Sequence, residues 1–211
     1  MSCQCQAIEG WFNHKVAARE LRHYRRRGPN KTTRMLLDAL RAESVVGATL
    51  LDIGGGVGVI AHELLEAGAA SASNVEASTG YLAAAQEEAA RRGHSDRMRF
   101  RHGDFVDLAA EVPPADIVTL DRVVCCYQDM EALVRLSVAR ARRVYGLVYP
   151  RDTWWIKLGF RIQNFWLSVL GNPFRIYVHS TEAVDAIVRQ SRLERRFHRK
   201  MIVWQVVVYA R

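Results

Sequence analysis

Residues 48–58, ATLLDIGGGVG, limit the possible folds of this chain more than any other segment. An apolar run ends at Ile53, glycines stand at 54, 55, 56 and 58, and an apolar helical pattern follows. Such a segment reads as a buried strand that enters a tight turn and continues into a short helix over 57–67. Glycine admits positive φ and lets a ligand approach the main chain, while the first turn of a helix carries unpaired N–H groups. A nucleotide-type ligand is therefore expected at this loop. The phosphate loop of NTPases is excluded, because Val59-Ile60 follows the last glycine in place of Lys-Ser/Thr. A dinucleotide fingerprint is disfavoured, because Val59 stands where its third glycine belongs.

The rest of the chain alternates strands with helices. Residues 11–42 read as helix, broken at Gly28-Pro29. A second strand ends at Val75, and an alanine-rich helix runs from Tyr81 to Arg92, where Gly93 stops it. MRFRHGDF is a third strand, with Met98, Phe100 and His102 on one face. ADIVTLDR is a fourth, apolar on both faces as a central parallel strand should be. A helix over 130–141 and a fifth strand, RRVYGLVYP, complete the alternation, which argues for an α/β domain with a parallel sheet. The character then changes: DTWWIKLGFRIQNFWLSVLGNPF carries six aromatic residues. Ser180 and Thr181 cap a helix reaching about Gln190, and the runs LERRFHRKM and IVWQVVVYA close the chain as an antiparallel hairpin.

Composition narrows the class. With 211 residues, 49% hydrophobic and 25% charged, the chain is expected to be ordered and to hold one domain. It has no apolar run of about 18 residues for a spanning helix, and MSCQCQAIEG lacks the blocks of a signal peptide, so a cytoplasmic location is expected. The formal charge is +8. That excess is mostly scattered arginine, and without a recognition motif it does not favour a nucleic-acid partner. Cys3/Cys5 and Cys125/Cys126 match neither C-x-x-C nor a four-ligand set, so reduced thiols and no metal are expected.

The pattern D-x-G-x-G-x-G, formed by Asp52, Gly54, Gly56 and Gly58, resembles motif I of the class I S-adenosylmethionine-dependent methyltransferases. Three later segments stand in that family's order: Glu76 in NVEAS after the second strand, GDF at 103–105 after the third, and LDRVVCCY at the fourth. The resemblance implies S-adenosyl-L-methionine as cofactor. It implies that the three glycines approach the sugar and methionine parts and that Asp52 helps position the methionyl ammonium. Glu76 would bind both ribose hydroxyls, since a carboxylate offers two acceptors to a vicinal diol. Asp104 would accept from the adenine amino group and Phe105 would pack on the base, with Asp121 completing the set. The implied fold is a Rossmann-like seven-stranded sheet flanked by helices, parallel except for one antiparallel C-terminal strand. An N-terminal helical cover over 1–42 would precede the methyltransferase domain at 43–211, which carries a helical, aromatic insertion at about 151–178.

FRIYVH at 174–179 and the closing RRFH…WQVVVYAR are similar to segments of the magnesium-protoporphyrin IX O-methyltransferase branch. Where that branch has a histidine after strand four, this chain has Cys125-Cys126-Tyr127. The likeness implies a small, flat, hydrophobic acceptor methylated on oxygen. No N-P-P-Y-type segment that would sandwich a flipped base follows strand four. Methyl transfer is an in-line displacement at a sulfonium carbon, so the enzyme orients the reactants and in some cases removes a proton. Tyr127 and Tyr24 lead as candidate catalytic groups, followed by His179; His14 and His23 rank below them. Arg25, Arg26 and Arg27 read mainly as a solvated basic face. Trp154–Leu170 has three readings: a subdomain packed on the sheet, a lid over the acceptor, or a peripheral membrane contact involving Lys157, Arg161 and Arg175. An NAD(P)-binding oxidoreductase and a non-catalytic cofactor-binding or RNA-associated module are the competing functions.

Overall fold

Apolar strands and amphipathic helices build one seven-stranded sheet in the computed structural model, which describes residues 8–211. The strands are β1 (Thr49–Ile53), β2 (Ser71–Glu76), β3 (Met98–His102), β4 (Ala115–Asp121), β5 (Ala141–Pro150), β6 (Glu194–Lys200) and β7 (Trp204–Ala210). Their order is β3-β2-β1-β4-β5-β7-β6. β1 to β5 pair in parallel, while β7 runs antiparallel to both β5 and β6. The turn between β6 and β7 is too short for a crossover, so those two strands must form a hairpin. Cys3 and Cys5 lie outside the described residues.

Helices α1 (His14–Arg27), α2 (Lys31–Arg41), α3 (Val59–Glu66), α4 (Thr79–Arg92), α5 (Phe105–Leu108), α6 (Met130–Val138), α7 (Trp154–Val169) and α8 (Thr181–Gln190) cover the sheet. Gly28, at φ 71°, ends α1, and the side chains of Asn13 and Asn30 cap α1 and α2 by accepting from backbone N–H groups. The Ser180 side chain caps α8 in the same way. Three boundaries differ from the sequence reading. β2 extends to Glu76. β3 stops at His102, because Asp104 turns the chain by capping α5. Helix α6 ends at Val138, since Ala141 already pairs in β5.

The period-2 alternation of the strands divides the core between the two faces of the sheet. Leu50, Ile117, Val144, Val148 and Val206 face α2 and α3, where Leu36, Leu37 and Leu40 of α2 are fully buried. Leu51, Val118, Leu120, Tyr145 and Tyr209 face the other layer, with Leu133 and Val134 of α6 and Val184 and Val188 of α8. The α2 helix thus shares a core with β5 and β7. α1 packs on α4 through a smaller cluster of Ala17, Leu21, Tyr24, Tyr81 and Ala84. In α7 only Ile156 and Leu167 are buried.

Candidate active site

From β1 the chain winds outward through β2 and β3, whereas β4 and β5 lie on its other side, so the strand order reverses at the β1/β4 junction. In open α/β sheets the crevice beyond the C-terminal ends of the strands at such a junction is the ligand site. A cavity of about 730 Å³ lies there, lined by the glycine loop 54–57 and by Asp52, Glu76, Phe105, Asp121 and Tyr127 among others. That volume falls within the range of small-molecule sites, roughly 300–1,000 Å³.

The loop takes the backbone path its glycines permit: Gly54, Gly56 and Gly58 all have positive φ, at 62°, 56° and 82°. Gly55 is needed for a different reason. A Cβ at that position would sit 2.7 Å from Asp52 Oδ2 and 2.8 Å from Asn74 Oδ1. The loop therefore lies directly over a polar floor. Thr119 Oγ1 donates to Asp52 Oδ1 (2.7 Å), while Asp52 Oδ2 and both amide atoms of Asn74 are buried without a partner among the described residues. Burial pushes the Asp52 carboxyl up to about 7; the negative charges of Asp121 and Glu76 add to the rise, and the Thr119 hydroxyl opposes it.

Glu76 is held on both oxygens. The N–H of Gly56 donates to Oε2 and that of Ser78 to Oε1, each at 2.9 Å. Burial raises its pKa and these backbone donors pull it back only in part. Asp121 accepts from Thr33 Oγ1 and from Arg122 Nε, the latter at 3.1 Å. Asp104 caps α5, accepting from Val106 N–H (3.0 Å), and Tyr127 Oη donates to the same Oδ1 at 2.5 Å. Gly103 and Phe105 on either side of Asp104 line the cavity.

The three candidate catalytic groups are placed differently from one another. Tyr127 lines the cavity, with its hydroxyl bonded to Asp104. Tyr24 is buried between α1 and α4: its hydroxyl donates to Glu63 (3.0 Å), the Arg92 guanidinium lies over its ring, and burial holds its ionisation well above the phenol range. It does not line the cavity, because its position in α1 points it into the Leu21–Tyr81 cluster. His179 also lies off the cavity wall; its Nε2 bonds the carbonyl of Tyr127 (2.8 Å), and burial lowers its pKa. Its place in the structure is to fasten the loop after β4. His14 and His23 are exposed, and Arg25 is paired with Glu87 and Glu88. Arg175 donates to the carbonyls of Asn172 and Phe174 and to Ser168 Oγ, tying the turn after α7, and does not reach the cavity. Cys125 and Cys126 both line the cavity, neither in a disulfide; the neighbouring Cys125 thiol and then burial push the Cys126 thiol up.

Several lining residues were not singled out by sequence reasoning. Thr33, Glu20 and Tyr81 reach the cavity through the packing of α1, α2 and α4. Trp11 and Phe12 close it from the N-terminal side. Trp11 stacks on Phe174 (centroids 5.4 Å) and Phe12 meets the same ring edge-on (5.5 Å). Trp155 and Phe160, from the segment read as a candidate lid, and Trp204 extend the aromatic wall. No local pattern announces that Trp11 and Phe12 join it, since they lie more than 160 positions from Phe174. Among the described residues, four carboxylates (Glu20, Asp52, Glu76 and Asp121) line the cavity against one cationic side chain, Arg122. The site is therefore acidic within a basic chain. No group of three or more His, Cys, Asp or Glu side chains that could hold a metal occurs among the described residues.

Residues 50–145 match the family described as Methyltransferase domain. Among curated proteins no sequence matches. Many solved structures share the fold, three of them as follows. Magnesium protoporphyrin IX methyltransferase from Synechocystis, with bound SAH, is 18% identical at a TM-score of 0.74, covering 99% of each chain. A putative sarcosine dimethylglycine methyltransferase from Galdieria sulphuraria is 14% identical at 0.68, covering 85% of each. An O-methyltransferase family 2 protein from Planctomyces limnophilus, in complex with apigenin, is 16% identical at 0.67, covering 92% of this chain and 61% of that one. At these identities the likeness is one of fold.

Proposed function

For a chain whose residues 50–145 match a methyltransferase domain, we propose S-adenosylmethionine-dependent transfer of a methyl group to oxygen of a small, flat, hydrophobic acceptor. The observation that carries this reading is the two-part cavity. One end, beyond β1 and β2, is polar and acidic, made by Asp52, the glycine loop and Glu76; the other, beyond β5 and β7, is walled by Trp155, Phe160 and Trp204, while Trp11, Phe12 and Phe174 close the cavity beside Ala77.

The residues at the polar end fit the cofactor. S-adenosylmethionine carries a sulfonium and an ammonium against one carboxylate, so it is a net cation, and an acidic pocket attracts it. Asp52 Oδ2, buried and unpartnered, is the acceptor suited to the methionyl ammonium. Glu76, oriented by the two N–H donors, is the acceptor for the ribose diol. Phe105 offers an apolar wall to the adenine, and Tyr127 with Asp104 fixes the edge of that pocket. Asp121 and Thr33 close its floor toward β4. When bound, the cofactor supplies an electrophilic methyl group. A dinucleotide fits less well, because its pyrophosphate would meet Asp52 and Asp121 with only Arg122 to offset them.

At the aromatic end, this chain's own residues orient the acceptor and exclude water. Trp155 and Phe160 of α7 form the cover over that end. With its hydroxyl donated to Asp104, Tyr127 positions the site instead of taking the acceptor's proton. Arg122, at the rim beside Asp121, suits an acceptor oxygen that is already acidic, such as a carboxylate or an acidic phenol, which needs no strong base. The literal test is transfer of a labelled methyl group from S-adenosylmethionine to a panel of planar aromatic phenols and carboxylic acids. Turnover of at least one acid, with S-adenosylhomocysteine inhibiting, is the expected outcome. NADH binding in the pocket without response to either adenosyl ligand would refute the reading.

A further inference from the structure

The outward face of α7 is apolar and uncovered. With about 100° between successive residues, Trp154, Leu158, Ile162, Phe165, Trp166 and Val169 fall within one arc of about a third of the helix circumference, each 50% to 76% exposed. The opposite arc packs inward, with Ile156 and Leu167 buried. Scattered single apolar side chains are ordinary on protein surfaces, but a contiguous aromatic-rich face is not. Lys157 and Arg161 border this arc, and both are exposed. Residues 154–170 contain no Asp or Glu, and among the described residues neither of these two cations forms an ion pair.

We propose that this face docks on an anionic lipid surface, with α7 lying in the plane of the membrane. Charge complementarity favours that occupant: an apolar arc of Trp, Phe and Leu with cations along its border suits the interface of an anionic bilayer. The helix lies on the membrane and does not cross it, since 16 residues span about 24 Å, short of the roughly 30 Å hydrocarbon core. No helix among the described residues is long and apolar enough to cross. A second copy of the chain is the poorer occupant. Face-to-face pairing of two α7 helices would bring two Lys157–Arg161 borders together with no carboxylate on either helix to offset them. Docking has a consequence for the site. Helix α7 lines the cavity through Ile156 and Phe160 on its inner side and through Trp155 at the edge of the outward arc, so the aromatic end of the cavity would lie beside the lipid in which an apolar acceptor dissolves. The docking itself stands whatever the acceptor is.

The test is sedimentation of the full chain with vesicles of phosphatidylglycerol and phosphatidylcholine, against phosphatidylcholine alone, at low and high salt. Binding to the anionic vesicles that weakens with salt is expected. Replacing Trp154, Phe165 and Trp166 together by Ser should lower partitioning about tenfold for each ring. Lys157→Glu with Arg161→Glu should lower it at least about fivefold for each charge, on anionic vesicles only. None of these side chains lines the cavity, so binding of S-adenosylhomocysteine and the melting temperature should stay unchanged. Absence of binding to anionic vesicles at low salt would overturn the proposal, as would binding that the Ser variant retains. Dimerisation lost in that variant, without vesicle binding, would assign the face to a second copy instead.

Discussion

Replacing Asp52 by Asn separates what this carboxylate does to the fold from what it does for the ligand. Asp52 is 1% exposed, one oxygen accepts from Thr119, the other has no partner, and its ionisation is pushed up to about 7 by burial first. In the unfolded chain it ionises near the ordinary carboxylate value, so between those two values the folded protein holds one proton more than the unfolded one. The stability contributed by that proton is fully present below about pH 4 and is lost as pH rises toward 7. Three units of displacement correspond to about 4 kcal/mol of cost for the ionised, ligand-free protein at neutral pH and above. Asn keeps the shape and carries no charge. Asp52→Asn should thus stabilise the ligand-free protein at pH 8 by about 2–4 kcal/mol, after allowing for an imperfectly paired amide, and by about 2.5 kcal/mol less than that at pH 5. Cofactor binding should respond in the opposite sense. If the ammonium requires the carboxylate, affinity should rise about eightfold between about pH 6 and 7.5, as the ionised fraction grows through a pKa of 7. In the variant it should be weak and flat over that range. Differential scanning fluorimetry of the ligand-free protein and calorimetry with S-adenosylhomocysteine at matched pH values read both effects. A variant that is less stable at pH 8, or wild-type affinity that is flat from pH 6 to 7.5, would refute the reasoning.

Glu76→Gln keeps the bulk but weakens the acceptor for the ribose diol, and should cost cofactor binding about 1–3 kcal/mol by calorimetry. Tyr127→Phe removes the hydroxyl donated to Asp104 and should lower both folding stability and cofactor affinity by about 1–3 kcal/mol. A fall in kcat at unchanged cofactor affinity would return Tyr127 to the role of catalytic residue. Trp155→Ala with Phe160→Ala should raise the acceptor KM more than the cofactor Kd; equal loss of both with a lower melting temperature would show the segment to be core only. The buried His62 ring, brought down to about 4 chiefly by desolvation, must stay neutral in the fold. Its contribution is therefore present above pH 6.5 and lost as pH falls toward 4, and His62→Gln should flatten that acid limb in melts from pH 7 to 4.

The order of elements could be read along the chain because each strand keeps its own apolar period and each helix its own caps. The alternation around Leu50, Ile117 and Val144 on one face, and Leu51, Val118 and Tyr145 on the other, is a local property of sequence. The glycine loop was legible for the same reason: a turn with three positive φ values needs glycine wherever it occurs. Motif spacing likewise placed Asp52, Glu76 and Phe105 at strand ends, and strand ends converge at the switch point in any parallel α/β sheet. Boundary errors came where a side chain competes with the ladder, as when Asp104 left β3 to cap α5.

What only the tertiary structure decided is which polar groups already have partners and which distant segments meet. Tyr24, Tyr127, His179 and Arg175 looked alike as titratable or charged groups near the cleft. The fold bonded Tyr24 to Glu63, Tyr127 to Asp104, His179 to the Tyr127 carbonyl and Arg175 to the turn after α7. It brought Trp11 onto Phe174 to roof the cavity, and gathered four carboxylates around a site inside a chain of formal charge +8. A sequence carries local preferences directly. Pairing between residues far apart is set by how the layers pack, and in this protein that packing determines where each charge lies and what it is free to bind.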